Sequence, residues 1–178
     1  MSASGDPDVI PIVFDASPLN CFATGQKLHV LRALVADRSP HSTNAVMDEL
    51  QAGPAAEADF SWVSVQAVDH LDELRAFMRY AEIMGSGRRH LGEATVLAWA
   101  EVHGGIAIID DQAAKKAAKR QGVRCHGSLW LILEGFKAGI LREAEACQLV
   151  DVLRDTNARF PVDGATLIEW ARKEGLLT

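Results

Sequence analysis

Two short apolar runs that each end in aspartate constrain the fold of this chain more than any other feature. Residues 9–14 form one continuous apolar run, proline included, that ends at Asp15, and residues 106–109 form another that ends at Asp110 and Asp111. Runs of this length are typical of strands buried on both faces of a parallel sheet that helices cover. Open sheets of that kind bind their ligands at the carboxyl ends of the strands. We therefore expect these aspartates to lie at a ligand site.

Segments with helical periodicity separate the predicted strands. Ser17 and Pro18 form a favourable helix start, with the serine as N-cap and the proline at the first helical position. Ser42 or Thr43 can cap a short helix that carries Glu49. The alternation predicts an α/β fold, a three-layer α/β/α sandwich with a mainly parallel central sheet and a helical C-terminal extension. The other predicted helices span residues 27–36, 69–84, 92–102, 112–121, 128–139, 143–156 and 165–173, and the other predicted strands span 61–65 and 123–125.

The length of the chain, 178 residues, is enough for one core and too short for two comfortable ones. We predict a flexible tail over residues 1–8 and a single domain over residues 9–178, whose C-terminal helices begin at about residue 127. No apolar stretch approaches the length of a membrane span, and the first residues lack the pattern of a secretory signal. We therefore expect no membrane association and a cytoplasmic location. The three cysteines are too widely spaced to indicate a zinc site or a disulfide framework.

Two basic clusters are candidates for contacts with RNA phosphates, on a chain whose formal net charge is −6. A negative total excludes a protein coated in basic charge for nonspecific nucleic-acid binding, but it is compatible with a local basic patch beside an acidic metal site. The alternative interpretation of the clusters is a solvated helix face. The candidate RNA-binding residues are Arg88, Arg89, Lys115, Lys116 and Lys119.

Acidic residues at the ends of the predicted strands and in two predicted helices have the chemistry of a divalent-metal site. Carboxylate oxygens are ligands that Mg²⁺ and Mn²⁺ prefer, and several carboxylates brought together repel one another unless a cation or protons neutralise them. Each acid also has an ordinary interpretation. Asp15 and Asp111 can cap the helices that follow them, Glu93 can interact with a helix dipole, and Glu49 can be a surface charge.

In combination, four of these segments resemble the acidic signature of PIN domains, the family of VapC-like ribonucleases. The resemblance is greatest to the DUF3368-type subgroup, which carries a Gly-Glu-Ala segment and an Asp-Asp pair, and it continues into the C-terminal helices. Each motif is short, so only their order and spacing together are specific. The segments span residues 13–19, 45–50, 91–94 and 108–111.

The resemblance implies a metal-dependent endoribonuclease that uses Mg²⁺ or Mn²⁺, and possible service as the toxin of a toxin-antitoxin pair. It also implies RNA as substrate, a small antitoxin protein as partner and a homodimer. By position it makes Asp15, Glu49, Glu93 and Asp110 catalytic, assigns metal binding to Asp15, Glu93, Asp110 and Asp111, and gives Ser17 a supporting role. Many members have aspartate in place of Glu93 and Thr-x-Asp in place of Asp110-Asp111, so either aspartate of the pair can face the metal.

Two other functions remain open on the sequence. The chain could be a PIN-fold interaction protein with weak or no catalysis, in which case replacing Glu93 by glutamine would leave its biological effect intact. It could also be a phosphotransfer or phosphatase domain, because acids follow the first strand of those sheets too. The first strand here lacks the Asp-x-Asp spacing expected of an aspartyl-phosphate phosphatase, which argues against the second of these functions.

Overall fold

The computed structural model describes residues 9–85, 90–156 and 158–177. In these ranges nine helices flank a five-stranded sheet in which every pair of neighbouring strands is parallel. The strands are β1 (Ile12–Phe14), β2 (Pro40–Thr43), β3 (Ser64–Gln66), β4 (Ile106–Ile108) and β5 (Cys125–His126), in the order β3-β2-β1-β4-β5. The helices are α1 (Ala16–Thr24), α2 (Leu28–Leu34), α3 (Asn44–Gln51), α4 (Leu71–Met84), α5 (Leu91–His103), α6 (Gln112–Gln121), α7 (Ser128–Lys137), α8 (Glu143–Asp155) and α9 (Leu167–Lys173).

The predicted α/β/α architecture is confirmed. The two apolar runs become β1 and β4, which are neighbours at the centre of the sheet and have no exposed residue. The predicted strand at residues 61–65 is shifted to β3 and lies at an edge of the sheet, as its alternating pattern indicated.

Three details of the prediction were wrong. The strand β2 was not predicted, because it is polar and begins with proline, yet it pairs with β1 on one side and β3 on the other. β1 begins only at Ile12 and not at residue 9, although the Pro11 carbonyl still accepts a 2.9 Å hydrogen bond from the backbone N–H of Ile106. The N-cap of α1 is Asp15 and not Ser17, since the Asp15 side chain accepts a hydrogen bond from the backbone N–H of Ser17.

Helix α5 is the central helix of the core. It packs against β1, β2 and β4, and α4 runs along it. Elsewhere α1 contacts α2 and α3, and α7 contacts α2 and α8. Helix α7 approaches α2 closely at Gly135, where a Cβ would overlap the end of the Leu34 side chain and force it to move.

Some predicted features lie outside the residues that the structure describes: the tail over residues 1–8 and the candidate RNA-binding residues Arg88 and Arg89. Within the described ranges, no helix is long and apolar enough to span a bilayer.

Candidate metal centre

Five carboxylates meet in one open pocket at the carboxyl ends of β1 and β4. The pocket has a volume of about 560 Å³. The strands place Asp15 and Asp110 there directly, and the helices that follow add the remaining groups. The lining residues are Asp15, Ala16, Ser17, Asn20, Glu49, Glu93, Asp110, Asp111, Gln112, Ala158 and Arg159.

Asp15 is the most deeply buried acid of the pocket, with 4% of its surface exposed. One of its oxygens, Oδ2, accepts the 3.3 Å hydrogen bond from the backbone N–H of Ser17 that caps α1. Burial, followed by repulsion from Glu93, raises the pKa of Asp15 to about 8, although the N–H groups of Ala16 and Ser17 act in the opposite direction. The ionised form of Asp15 therefore needs a positive charge in the pocket to be stable at neutral pH.

Glu49 and Glu93 come from two helices that are held together. Thr43 caps α3, which carries Glu49, and its hydroxyl lies 2.7 Å from the hydroxyl of Thr95 on α5, which carries Glu93. Burial of the Glu49 carboxyl and repulsion from Glu93 raise the pKa of Glu49.

Gly92 allows α5 to begin close to the acids. A Cβ at this position would lie 3.3 Å from Glu49 Oε2 and 3.4 Å from Asp15 Oδ1, at or below the short end of ordinary van der Waals contact. The glycine of the Gly-Glu-Ala segment therefore has a steric role, since it leaves space for two carboxylates beside the first turn of the helix.

Asp110 is held by the start of α7. Its Oδ1 accepts a hydrogen bond from the backbone N–H of Ser128 at 2.8 Å, and its Oδ2 accepts one from the Ser128 hydroxyl at 2.7 Å. Ser128 itself is fully buried. A side chain at position 127 would collide with Asp110 Oδ1, because a Cβ there would lie 2.6 Å from that oxygen. These contacts fix the orientation of the Asp110 carboxylate.

Asp111 has two functions in the structure. Its Oδ1 accepts a 2.9 Å hydrogen bond from the backbone N–H of Ala114 and so caps α6, as the sequence indicated. It also lines the pocket, and one of its possible ligand atoms lies within 4.8 Å of one from His90 and one from Glu93. Asp110 and Asp111 therefore both remain candidates for metal binding.

The pocket thus contains every acid that the sequence analysis singled out, and Ser17 with them. Of these acids, only Glu93 and Asp111 belong to a group of three or more possible ligand atoms within 4.8 Å of one another among the described residues. The candidate RNA-binding lysines lie on α6 and do not line the pocket. The Lys115 ammonium lies close to Gly127, 2.8 Å from the position that a Cβ would occupy. Lys116 and Lys119 are exposed.

Sequence reasoning missed Arg159, which lines the pocket without being near any acidic motif in the chain. The end of α8 brings it there, because the Thr156 hydroxyl donates to the Cys21 carbonyl at 3.3 Å and so ties α8 to α1. Arg159 forms no ion pair with any other residue of the described ranges. It is also the one cationic side chain among the described residues that line the pocket. No local pattern in the sequence indicates this placement.

Asn20, one turn after Ser17 on α1, was also missed. It lines the pocket, and its buried Oδ1 has no hydrogen-bond partner among residues 9–85, 90–156 and 158–177. Its spacing of three residues from Ser17 in a predicted helix was a signal that it would lie on the same face.

The comparison with protein families gives one match over most of the chain. The family described as DUF3368: PIN domain matches residues 11–168. The matched segment begins just before β1 and ends in α9, and it includes every residue that lines the pocket. No curated protein matches the chain.

Proposed function

This chain belongs to the PIN-domain family, and from that membership we propose that it is a metal-dependent endoribonuclease that hydrolyses RNA phosphodiester bonds. The family implies a nuclease-type function in general; RNA as substrate and the dependence on metal are our proposal. The observation that supports it most is the convergence of five carboxylates, the buried Asp15 among them, in one pocket.

The residues of the pocket fit a hard divalent cation such as Mg²⁺ or Mn²⁺. The donors are carboxylate oxygens, and burial, together with the charge of Glu93, disfavours the ionised form of Asp15 unless a positive charge is present. We assign the binding of the ion to Asp15, Glu93, Asp110 and Asp111. A bound divalent ion supplies charge neutralisation and polarisation of water and phosphate oxygens.

Side chains and backbone groups of the protein orient the carboxylates and, in our proposal, transfer the proton. Ser17 N–H and the N–H and hydroxyl of Ser128 hold Asp15 and Asp110 in fixed orientations. Glu49 lines the pocket, and burial and the charge of Glu93 raise its pKa, which favours it as the group that accepts a proton. In our proposal it takes a proton from the attacking water, whose oxygen bonds to phosphorus while the bond from phosphorus to the leaving ribose oxygen breaks. The leaving oxygen takes up a proton from solvent.

Arg159 supplies a positive charge for the substrate. Arg159 lines the pocket and is not paired with any carboxylate in the described part of the chain, so in our proposal its guanidinium forms two parallel hydrogen bonds to a phosphate. Lys115, Lys116 and Lys119 on α6 would contact phosphates further along the RNA. Contacts of this kind position RNA without reading its sequence.

We extend the proposal to a cytoplasmic toxin of a toxin-antitoxin pair that forms a homodimer, on the resemblance to VapC-like ribonucleases. A small antitoxin protein would then silence the nuclease. A short reading frame that adjoins the gene and whose product binds this chain would support that role, and a gene with no such neighbour would favour RNA processing.

The function is tested by incubating the purified protein with structured RNAs in Mn²⁺, Mg²⁺ or EDTA. We expect cleavage in the metal ions, none in EDTA, and a loss of at least about 100-fold in Asp15→Asn. Asp37→Asn is the matched control, because Asp37 is exposed and lies outside the pocket. Equal cleavage by wild type and Asp15→Asn, or in EDTA, would contradict the proposal. A folded, metal-binding protein that cuts no RNA would favour the PIN-fold interaction protein.

A further inference from the structure

His90 is not among the residues that line the acidic pocket, but it brings a nitrogen atom close to two acids that do, Glu93 and Asp111. It is the N-cap residue of α5, three positions before Glu93, and its Nδ1 lies 3.5 Å from Glu93 Oε1. One ligand atom each from His90, Glu93 and Asp111 lie within 4.8 Å of one another. This is the one such group of three or more histidine, cysteine or acidic side chains in the described ranges.

The surroundings of His90 favour a ligand over a solvent-exposed side chain. The side chains of His90 and Glu93 are 22% and 14% exposed. Nδ1 of His90 is buried and forms no hydrogen bond with the residues that the structure describes, and its charged neighbour there is Glu93 Oε1 at 3.5 Å. A buried ring nitrogen without a partner is unusual in a folded protein, and an ion shared with Glu93 and Asp111 would satisfy it.

The other histidines with described contacts are already engaged elsewhere. His41 bonds to Ser39 and Gln66, and His103 pairs with the buried Glu73 at 2.7 Å. His126 stacks on Trp130 with ring centroids 4.2 Å apart. His90 is the histidine whose imidazole faces carboxylates of the pocket itself.

We propose that His90 is a nitrogen ligand of the divalent cation in this pocket and makes the site select Mn²⁺ over Mg²⁺. This inference rests on the proposed function, because it requires the pocket to bind a divalent ion. The chemical basis is ligand type: Mg²⁺ strongly prefers oxygen ligands and retains its water, whereas imidazole binds first-row transition ions well. Carboxylates alone would discriminate less between the two ions.

The test uses the full chain with Mn²⁺ and electron spin echo envelope modulation, which detects ¹⁴N nuclei bonded to the ion. We expect ¹⁴N modulation in wild type and in His29→Gln, a matched control at an exposed position on α2, and its loss in His90→Gln. Wild-type protein labelled with ¹⁵N-histidine should lose the ¹⁴N signal without any mutation, which keeps the test valid if His90→Gln folds poorly. By calorimetry, His90→Gln should weaken Mn²⁺ binding about tenfold and change Mg²⁺ binding by less than about twofold.

The possible failures are distinct. Mn²⁺ that binds without nitrogen coupling in wild type, or coupling that persists in folded His90→Gln, would overturn the role of His90 and leave the carboxylate site intact. Equal weakening of Mn²⁺ and Mg²⁺ binding in His90→Gln would overturn the claim of selectivity. Wild-type protein that binds neither ion would refute both the inference and the metal dependence of the proposed nuclease.

Discussion

Replacing Asp15 by asparagine should make the metal-free protein more stable at neutral pH. Asparagine has no charge, and its side-chain oxygen can still accept the hydrogen bond from Ser17 N–H that caps α1. The substitution therefore removes the repulsion among the acids while it preserves the helix start. Loss of function with gain of stability is unusual for a buried residue, and it follows here from the pKa of Asp15.

The size of the gain follows from that pKa. The Asp15 carboxyl has a pKa of 3.8 in the unfolded chain, and burial and Glu93 raise it to about 8 in the folded protein. The folded state therefore binds the proton more tightly, and wild type loses stability as pH rises between these two values. At pH 7 the loss is up to about 4 kcal/mol relative to acid, growing by up to about 1.4 kcal/mol per pH unit. Asp15→Asn avoids this loss, so we expect it to be more stable by about 2 to 4 kcal/mol at pH 7.

Urea denaturation in EDTA at pH 5, 6, 7 and 8 measures this effect, with Asp37→Asn as the matched control. The advantage of Asp15→Asn should grow with pH, whereas the control should show no such trend. Mn²⁺ should then stabilise wild type and not Asp15→Asn, since ion binding removes the same repulsion. An advantage that is absent, or that does not change between pH 5 and 8, would refute the assignment of a strongly raised pKa to Asp15.

Three further substitutions test individual contacts of the pocket. Ser128→Ala removes the hydroxyl that donates to Asp110, so the free energy of unfolding should fall by about 1 to 2 kcal/mol in urea denaturation. The affinity for Mn²⁺ should fall about tenfold in calorimetry. Unchanged Mn²⁺ affinity would show that the orientation of Asp110 does not depend on this hydroxyl. Gly92→Ala introduces a Cβ against the pocket carboxylates, and we expect weaker Mn²⁺ binding with an unaltered circular dichroism spectrum, whereas wild-type affinity would mean that the acids move aside freely. Arg159→Ala should weaken RNA binding in Ca²⁺ about tenfold without changing Mn²⁺ affinity. The exposed control Arg32→Ala should leave RNA binding unchanged. Faster cleavage by Arg159→Ala would contradict this role and show that Arg159 hinders the substrate.

The part of the fold that local pattern determines was predictable. β1 and β4 are apolar because both faces are covered, and this produces a run that sequence alone reveals. β2 could not be found in this way, because its residues are polar and its strand conformation depends on the partners beside it. Ser42, for example, is fully buried and its hydroxyl donates to the Phe14 carbonyl at 2.8 Å, a contact that exists only after the strands pair.

The residues of the candidate site likewise include some that a local sequence pattern reveals and some that it does not. The acids could be singled out because they stand at strand ends and in helices next to them, where a local pattern implies a common location. The groups that orient or supplement the acids could not be singled out in this way, because they reach the pocket through the packing of segments that are distant in the sequence. Ser128 meets Asp110 because β5 lies beside β4, and Arg159 arrives because α8 packs on α1.

The hydrogen bonds between Ser128 and Asp110 have a consequence for any attempt to shorten this protein. A truncated form that ended before α7 would retain all five strands and all five acids, so its sequence motifs alone would indicate a complete site. It would nevertheless lose both donors to the Asp110 carboxylate and the guanidinium of Arg159. The smallest fragment worth expressing therefore extends beyond residue 159, because the segment between α8 and α9 supplies part of the pocket wall.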